Sequence, residues 1–277
     1  MVEQVHRTAC GEIHYWVDKC AHNSAEACGG GVQLVFLPGL TADHRLFDKQ
    51  VAHFRGRYPL LVWDAPAHAA SWPFTFDFDL MDKARWLDEI LTREGFSRPI
   101  LIGQSMGGYV AQAYAELFPN KISGFVSIDS APLQREFTTA AEIWLLKRME
   151  PVYRLYPWRS LLSLGTRGVS TTDYGRGLMR EMMMTYCADK ERYVQISGHG
   201  MRMLAEAIEA DRAYKIESPA LLLCGAKDLA GSAKRHNRAW HKRTAIPLVW
   251  LKGAGHNSNT DVPDEVNRLI EEFLSNV

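Results

Sequence analysis

Residues 98–109 read Arg98-Pro99-Ile100-Leu101-Ile102-Gly103-Gln104-Ser105-Met106-Gly107-Gly108-Tyr109. A short apolar run, 100–102, ends in Gly-Gln-Ser-Met-Gly, and helix-like spacing follows over 109–118. This is G-x-S-x-G between a strand and a helix, the setting that gives the motif its chemistry. So sharp a turn predicts a positive φ at Ser105, with Gly103 and Gly107 leaving room for neighbouring chain. The hydroxyl then stands at the carboxyl end of a strand, faced by the free N–H groups of the new helix. The plainer reading is a strand-to-helix turn with an incidental serine. Gly107-Gly108 speaks against it, because a helix opens more readily on better formers.

Outward from this segment the pattern repeats. Residues 2–9 and 12–18 read as short strands joined at Cys10-Gly11, and 20–31 as a polar, mobile loop. Apolar strand runs follow at 32–37, 58–63, 122–129, 220–225 and 247–251. Helical spacing lies between them at Leu46, Val51 and Phe54, over 80–94 (Leu80, Ala84, Leu87, Leu91), over 231–241 and over 263–274, with Pro263 suited to a first turn. Short apolar strands alternating with helices specify an α/β fold, a mostly parallel sheet with helices on both faces. Over 133–216 the alternation stops and only helical patterns remain. The expected division is a core of residues 1–132 and 217–277 with a helical cap of residues 133–216 inserted over the carboxyl ends of the strands. The insertion carries seven of the ten Met residues, nine aromatics, and 13 Lys+Arg against 10 Asp+Glu. Most of the Met cluster reads as packing, with part of it lining a pliable apolar pocket.

Composition narrows the partners. Lys+Arg and Asp+Glu are equal at 32 each, so no global field favours nucleic acid or an acidic membrane. No run approaches the ~18 apolar residues of a membrane span. The first residues lack a basic head and apolar core, so no secretory signal is expected. Cys10, Cys20, Cys28, Cys187 and Cys224 form an odd set without C-x-x-C spacing, and reduced thiols in a cytoplasmic protein are the expectation. A metal site from His14, His22, Cys20 and Cys28 matches no zinc spacing. The partner left is a small molecule; the oligomeric state is not encoded.

A serine hydroxyl is a poor nucleophile until an oriented base takes its proton. His256, in Gly253-Ala-Gly-His-Asn-Ser directly after the last strand, is the best-placed base. His68 follows an earlier strand, His199 lies in the insertion, and His236 and His241 read as a surface helix. The orienting acid is Asp228, at a strand end in Gly225-Ala-Lys-Asp228, or Asp129, which ends the strand after the Ser105 helix. Asp228 gives the chain order Ser…Asp…His and is preferred on that ground. Asp129 otherwise fixes the entry to the insertion. Two backbone donors are needed for an oxyanion: Met106 N–H, and an N–H after the 32–37 strand, where Leu40 in Pro38-Gly39-Leu40-Thr41 is nearest.

Taken together, these segments resemble the α/β-hydrolase superfamily, in its branch of capped, esterase-like serine hydrolases. The likeness runs from about Leu34 to the C-terminus: the Pro38-Gly39 loop, an Asp-x-Pro turn at Asp64, Gly-Gln-Ser-Met-Gly-Gly at the elbow, Gly-x-x-Asp at Asp228, and Lys252-Gly-Ala-Gly-His256. It implies an eight-stranded sheet with an antiparallel second strand and a cap after strand six. It also implies a catalytic triad of Ser105, Asp228 and His256, oxyanion donors Leu40 and Met106, and no cofactor or metal. Two departures stand out. Relatives often have His-Gly where Pro38-Gly39 stands, and Gly-x-Gly-x-Ser where Ala67-His-Ala-Ala-Ser71 stands.

The resulting expectation is hydrolysis of a carboxylic ester, lactone or thioester of a small to medium apolar acid through an acyl-enzyme on Ser105. A serine at the elbow argues against a haloalkane dehalogenase. A rival uses the same residues on a carbon–carbon bond, or as a lyase, with an anionic substrate held by Arg148, Arg154, Arg159 or Arg180. Another is a hydrolase-like small-molecule receptor, which a degraded triad would signal.

Overall fold

A computed structural model describes residues 1–20 and 31–277. Most of the loop expected over 20–31, with His22 and Cys28, lies outside the described residues. The core opens with β1 (Val2–Arg7), β2 (Glu12–Asp18), β3 (Leu34–Leu37), α1 (Asp48–Phe54), β4 (Leu60–Trp63), α2 (Leu80–Glu94), β5 (Ile100–Gln104), α3 (Met106–Leu117) and β6 (Gly124–Ile128). Five helices follow before the next strand: α4 (Ala140–Leu146), α5 (Met149–Leu155), α6 (Trp158–Arg167), α7 (Asp173–Met184) and α8 (Lys190–Glu209). The chain then returns through β7 (Ala220–Gly225), α9 (Ala233–Thr244), β8 (Leu248–Leu251), α10 (Ser258–Asp261) and α11 (Pro263–Leu274).

The eight strands form one sheet in the order β1-β2-β4-β3-β5-β6-β7-β8. β2 is antiparallel to both neighbours, and β3 to β8 are all parallel. The α/β class and the antiparallel second strand are therefore as expected. Side-chain alternation explains why the parallel strands read as unbroken apolar runs. Leu34 and Phe36 of β3 enter one core with Phe54 of α1 and Ile270 of α11, while Val35 and Leu37 enter the other with Leu87 of α2, Val110 of α3 and Trp240 of α9. Both faces of the sheet are covered, so consecutive positions of these strands are apolar.

Local chemistry sets the helix ends. Asp79 and Asp82 close a reciprocal capping box at the start of α2, and Gly95 ends that helix at φ 76°. α3 starts at Met106, three residues earlier than the spacing suggested. Gly107 and Gly108 sit in its first turn because side chains do not fit: a Cβ on Gly107 would lie 1.8 Å from the Leu37 carbonyl oxygen. Packing overrides propensity there.

Among the described residues, positions 133–216 hold no strand. α8 packs on α4 and α5, and α6 on α7. Met179, Met182, Met183 and Met203 of these helices are buried, the first two in the same core as Leu34 and Phe36. No described helix is long and apolar enough to cross a membrane. Cys10, Cys187 and Cys224 are free thiols, but Cys20 is disulfide-bonded, against the expectation of reduced thiols. Pairing depends on how closely the chain brings two Cα atoms, which spacing along the sequence does not encode.

The parallel strands deliver the chemistry to one edge. Their carboxyl ends lead to Pro38-Gly39 (β3), Ser105 (β5), Asp129 (β6), Asp228 (β7) and His256 (β8). Leu101 at the centre of β5 is fully buried. Leu101→Ala is expected to lower stability by about 3 kcal/mol in urea unfolding; a loss near zero would contradict the described packing.

Candidate active site

Ser105 has φ 49° and ψ −117°, a conformation that favours glycine. Its surroundings hold it there. A Cβ on Gly103 would come within 2.5 Å of Gly107 backbone, and one on Gly108 within 2.5 Å of Ser130. The Ser105 N–H donates to Ile128 O at 2.9 Å. The loop after β3 lies against the elbow, since a Cβ on Gly39 would stand 3.1 Å from Ser105 Cβ. A turn closed by the Ala42 N–H on Gly39 O, with Thr41 at φ 64°, carries Leu40 at its centre. Among the described residues no acceptor takes the N–H of Leu40 or of Met106.

The imidazole of His256 joins two strand ends. Nε2 is 2.9 Å from Ser105 Oγ, and Nδ1 is 3.0 Å from Asp228 Oδ2. An ionised Asp228 only accepts, so Nδ1 carries a proton and the neutral ring presents Nε2 as acceptor to the serine hydroxyl. Asp228 is buried, and Oδ1 also accepts from the Ala230 N–H at 2.7 Å. Burial alone would lower the His256 pKa. The hydrogen bond to Asp228 and the charges of Asp228 and Asp129 outweigh it and hold the ring above its usual 6.5.

Asp129 sits close by with different partners. Oδ1 accepts from the Gly225 N–H at 2.6 Å, and Oδ2 accepts from the Ser258 N–H at 2.9 Å and the Ser258 hydroxyl at 2.5 Å. It staples the end of β7 to the segment following His256 and makes no hydrogen bond to the imidazole. Burial pushes its carboxyl up to about 7, with Asp228 adding to the rise and His256, Ser258 and Gly225 opposing it.

Two contributors carried no signal in the sequence. Gln104, an unspecified position of the motif, donates from Nε2 to His256 O at 2.9 Å and to Asn257 Oδ1 at 3.1 Å. His236 is not on the surface: it lines the cavity beside Glu142 and Ser232. His68 is buried with one ring nitrogen on Pro66 O, and burial takes its pKa down to about 3. The turn after Asp64 forms although glycines are missing, with Ala67 at φ 72° and Ala69 at φ 39°. Asp64 holds it by accepting from the Ala70 N–H and from His44.

A cavity of about 520 Å³ opens on Ser105 and His256. Leu40, Leu145, Leu146, Met149, Met201 and Leu204 give it an apolar wall. None of Arg148, Arg154, Arg159 and Arg180 lines it. Arg154 pairs with Glu150 and Glu191, Arg148 lies over the Trp144 ring, and Arg159 and Arg180 are exposed. Two groups bring three possible metal ligands within 4.8 Å: Asp43, His44 and Asp64, and Asp129, Cys224 and Asp228. Their carboxylates are already engaged by protein donors.

The profile of the alpha/beta hydrolase family matches residues 34–269. The chain belongs to the α/β hydrolase family. An uncharacterised protein of Mycobacterium tuberculosis is 18% identical over 259 residues, spanning 89% of this chain and 76% of its own length. The enol-lactonase of Burkholderia xenovorans LB400 has the same fold, with TM-score 0.72, 22% identity, and 97% of this chain and 99% of that one covered. So does a thermophilic esterase from Thermogutta terrifontis, at TM-score 0.70, 17% identity, and coverage of 99% and 98%.

In this α/β hydrolase the imidazole state can be read directly. NMR titration of the His256 ring is expected to give a pKa above 6.5, falling in Asp228→Asn. A ring titrating below 6.5, or unmoved by that substitution, would contradict the assigned contacts.

Proposed function

We propose that the protein is a serine hydrolase that cleaves a carboxylic ester or lactone of a small to medium, largely apolar acid through an acyl-enzyme on Ser105. What carries the reading is the hydrogen-bonded chain Ser105–His256–Asp228 opening on an apolar cavity. Ser105 Oγ attacks the substrate carbonyl carbon while His256 Nε2 takes its proton, and the carbonyl π electrons move onto oxygen. The N–H groups of Leu40 and Met106 bind the oxyanion; one such donor contributes on the order of 3 kcal/mol. His256 then protonates the leaving alkoxide as the carbonyl re-forms. Water, deprotonated by His256, attacks the acyl carbonyl; the bond to Ser105 Oγ breaks as the carbonyl re-forms, His256 returns the proton to Ser105, and the acid leaves. Asp228 holds the ring in the working tautomer and stabilises the imidazolium.

Residues 133–216 act in this reading as a cap whose α4, α5 and α8 supply the acyl-binding wall, with 1–132 and 217–277 as the catalytic core. Ester and lactone chemistry fits the thermophilic esterase and the enol-lactonase of like fold. Thioesters fit the same chemistry. The carbon–carbon or lyase alternative rested on cap arginines facing an anion, and the apolar lining does not favour it. A receptor would not need a base bonded to the nucleophile.

Kinetics with p-nitrophenyl acetate to butyrate test the reading. Ser105→Ala is expected to lose on the order of 10⁴-fold or more in kcat. Asp228→Asn should lose about 10⁴-fold, and Asp129→Asn less, with stability lowered by about 1–3 kcal/mol instead. Activity surviving Ser105→Ala would end the proposal, and a larger loss at Asp129 would exchange the two acids. The acid limb of kcat/KM should lie above pH 6.5, because the protonated ring cannot act as base until pH rises past its elevated pKa; a limb near pH 4 would point to a carboxylate base.

A further inference from the structure

The loop that presents His256 has little hold on its own strand. Its nearest strand contact is the Ala254 N–H to Leu251 O at 3.4 Å. Gly253, at φ 84°, has open space around it. The insertion supplies much of the remaining support. Asn257 N–H donates to Val169 O at 2.8 Å, and Thr171 Oγ1 donates to Gly253 O at 2.9 Å. Between the two partners stands one buried carboxylate. Asp261 Oδ2 accepts from the Gly255 N–H at 2.8 Å, beside His256, and from the Thr171 N–H at 3.0 Å. Oδ1 accepts from the Thr171 N–H at 3.0 Å, the Thr172 N–H at 3.1 Å, the Thr172 hydroxyl at 3.0 Å and the Ser170 hydroxyl.

Asp261 is in turn fixed by the core. It ends α10, where Asn259 Nδ2 donates to Leu46 O at 2.7 Å and Asn259 O accepts from Gln50 Nε2 at 3.1 Å. Fit is close on the loop side: a Cβ on Gly255 would meet Val169 O at 2.9 Å and Asp261 Oδ2 at 3.3 Å. The core adds contacts of its own to this loop, from Gln104 on His256 O and Asn257 Oδ1 and from the Lys227 N–H on Ala254 O at 2.8 Å.

We infer that Asp261 is a positioning residue for His256, clamping the 170–172 turn of the insertion to the loop that carries the imidazole. The insertion is then part of the base-holding apparatus as well as a wall of the cavity. All six bonds run from donors to carboxylate oxygens, and the proton-free state is the one they require. Burial alone would raise the Asp261 pKa, but the Ser170 hydroxyl and the Gly255, Thr171 and Thr172 N–H groups outweigh it and hold the carboxyl below its usual range. An amide fails at this place. Whichever oxygen becomes NH₂ then faces donors, and if the amide oxygen keeps the Ser170–Thr172 side, the Gly255 N–H loses its acceptor. The groups facing the imidazole itself remain Asp228, Asp129 and Ser105.

The inference rests on the hydrolase reading for its kinetic consequence, and on geometry alone for its effect on the ring. In Asp261→Asn, kcat should fall about ten- to a hundredfold with KM within about threefold, as expected for a misplaced base. The acid limb and the NMR-titrated pKa of His256 should both fall, because a loosened ring loses part of its Asp228 bond. Ser170→Ala, which removes a hydroxyl donor from Asp261 Oδ1, should shift the ring in the same direction by less. It decides the matter if the first variant does not fold. An unchanged His256 pKa in the folded variant would overturn the inference. So would activity that fell only with the folded fraction and kept its pH profile. The ring titration needs no turnover, so a wild-type protein whose activity survives Ser105→Ala would sink the hydrolase reading and leave this test standing.

Discussion

The contact between Ser105 Oγ and His256 Nε2 joins residues 151 positions apart, and the fold is arranged so that they meet. One is presented by a strained elbow after β5, the other by a loop after β8, with two strands between them in the sheet. The elbow keeps φ 49° at Ser105 because glycines at 39, 103, 107 and 108 let backbone approach where any Cβ would collide. The strain is local, and the close-packed chain around it leaves the serine no relaxed alternative.

Two buried carboxylates stand near one imidazole, and their hydrogen bonds divide the work. Asp228 reaches Nδ1. Asp129 is used up by Gly225 and Ser258, joining the end of β7 to the segment that follows His256. Both add negative potential at the ring and keep its proton affinity high against the cost of burial. Asp261 repeats the device one step outward, with the insertion as its second partner.

Much of this was readable from residue order. The 80–94 and 263–274 helices match their observed bounds because apolar spacing coincides with end signals: Asp79, Gly95 and Pro263. Ser105, Asp228 and His256 could be named because each ends or follows a recognisable apolar strand. The choice between Asp228 and Asp129 was not decidable from spacing, since both occupy strand ends and only side-chain direction separates them. Gln104, His236 and Asp261 were missed for a related reason. Their partners are distant in sequence, and a glutamine, a helical histidine or an aspartate before Val262-Pro263 has no pattern of its own. The Ala67–Ser71 turn was obscured by alanines at positive φ, held there by Asp64.

The central claim, that a strained serine is made nucleophilic by the ring it touches, has a direct measurement. Intact-mass and peptide mapping after treatment with a fluorophosphonate should show one adduct per chain, on Ser105, lost in His256→Ala while that variant stays folded. A folded protein that remains unlabelled at Ser105, or is labelled there equally well without the imidazole, would contradict the account.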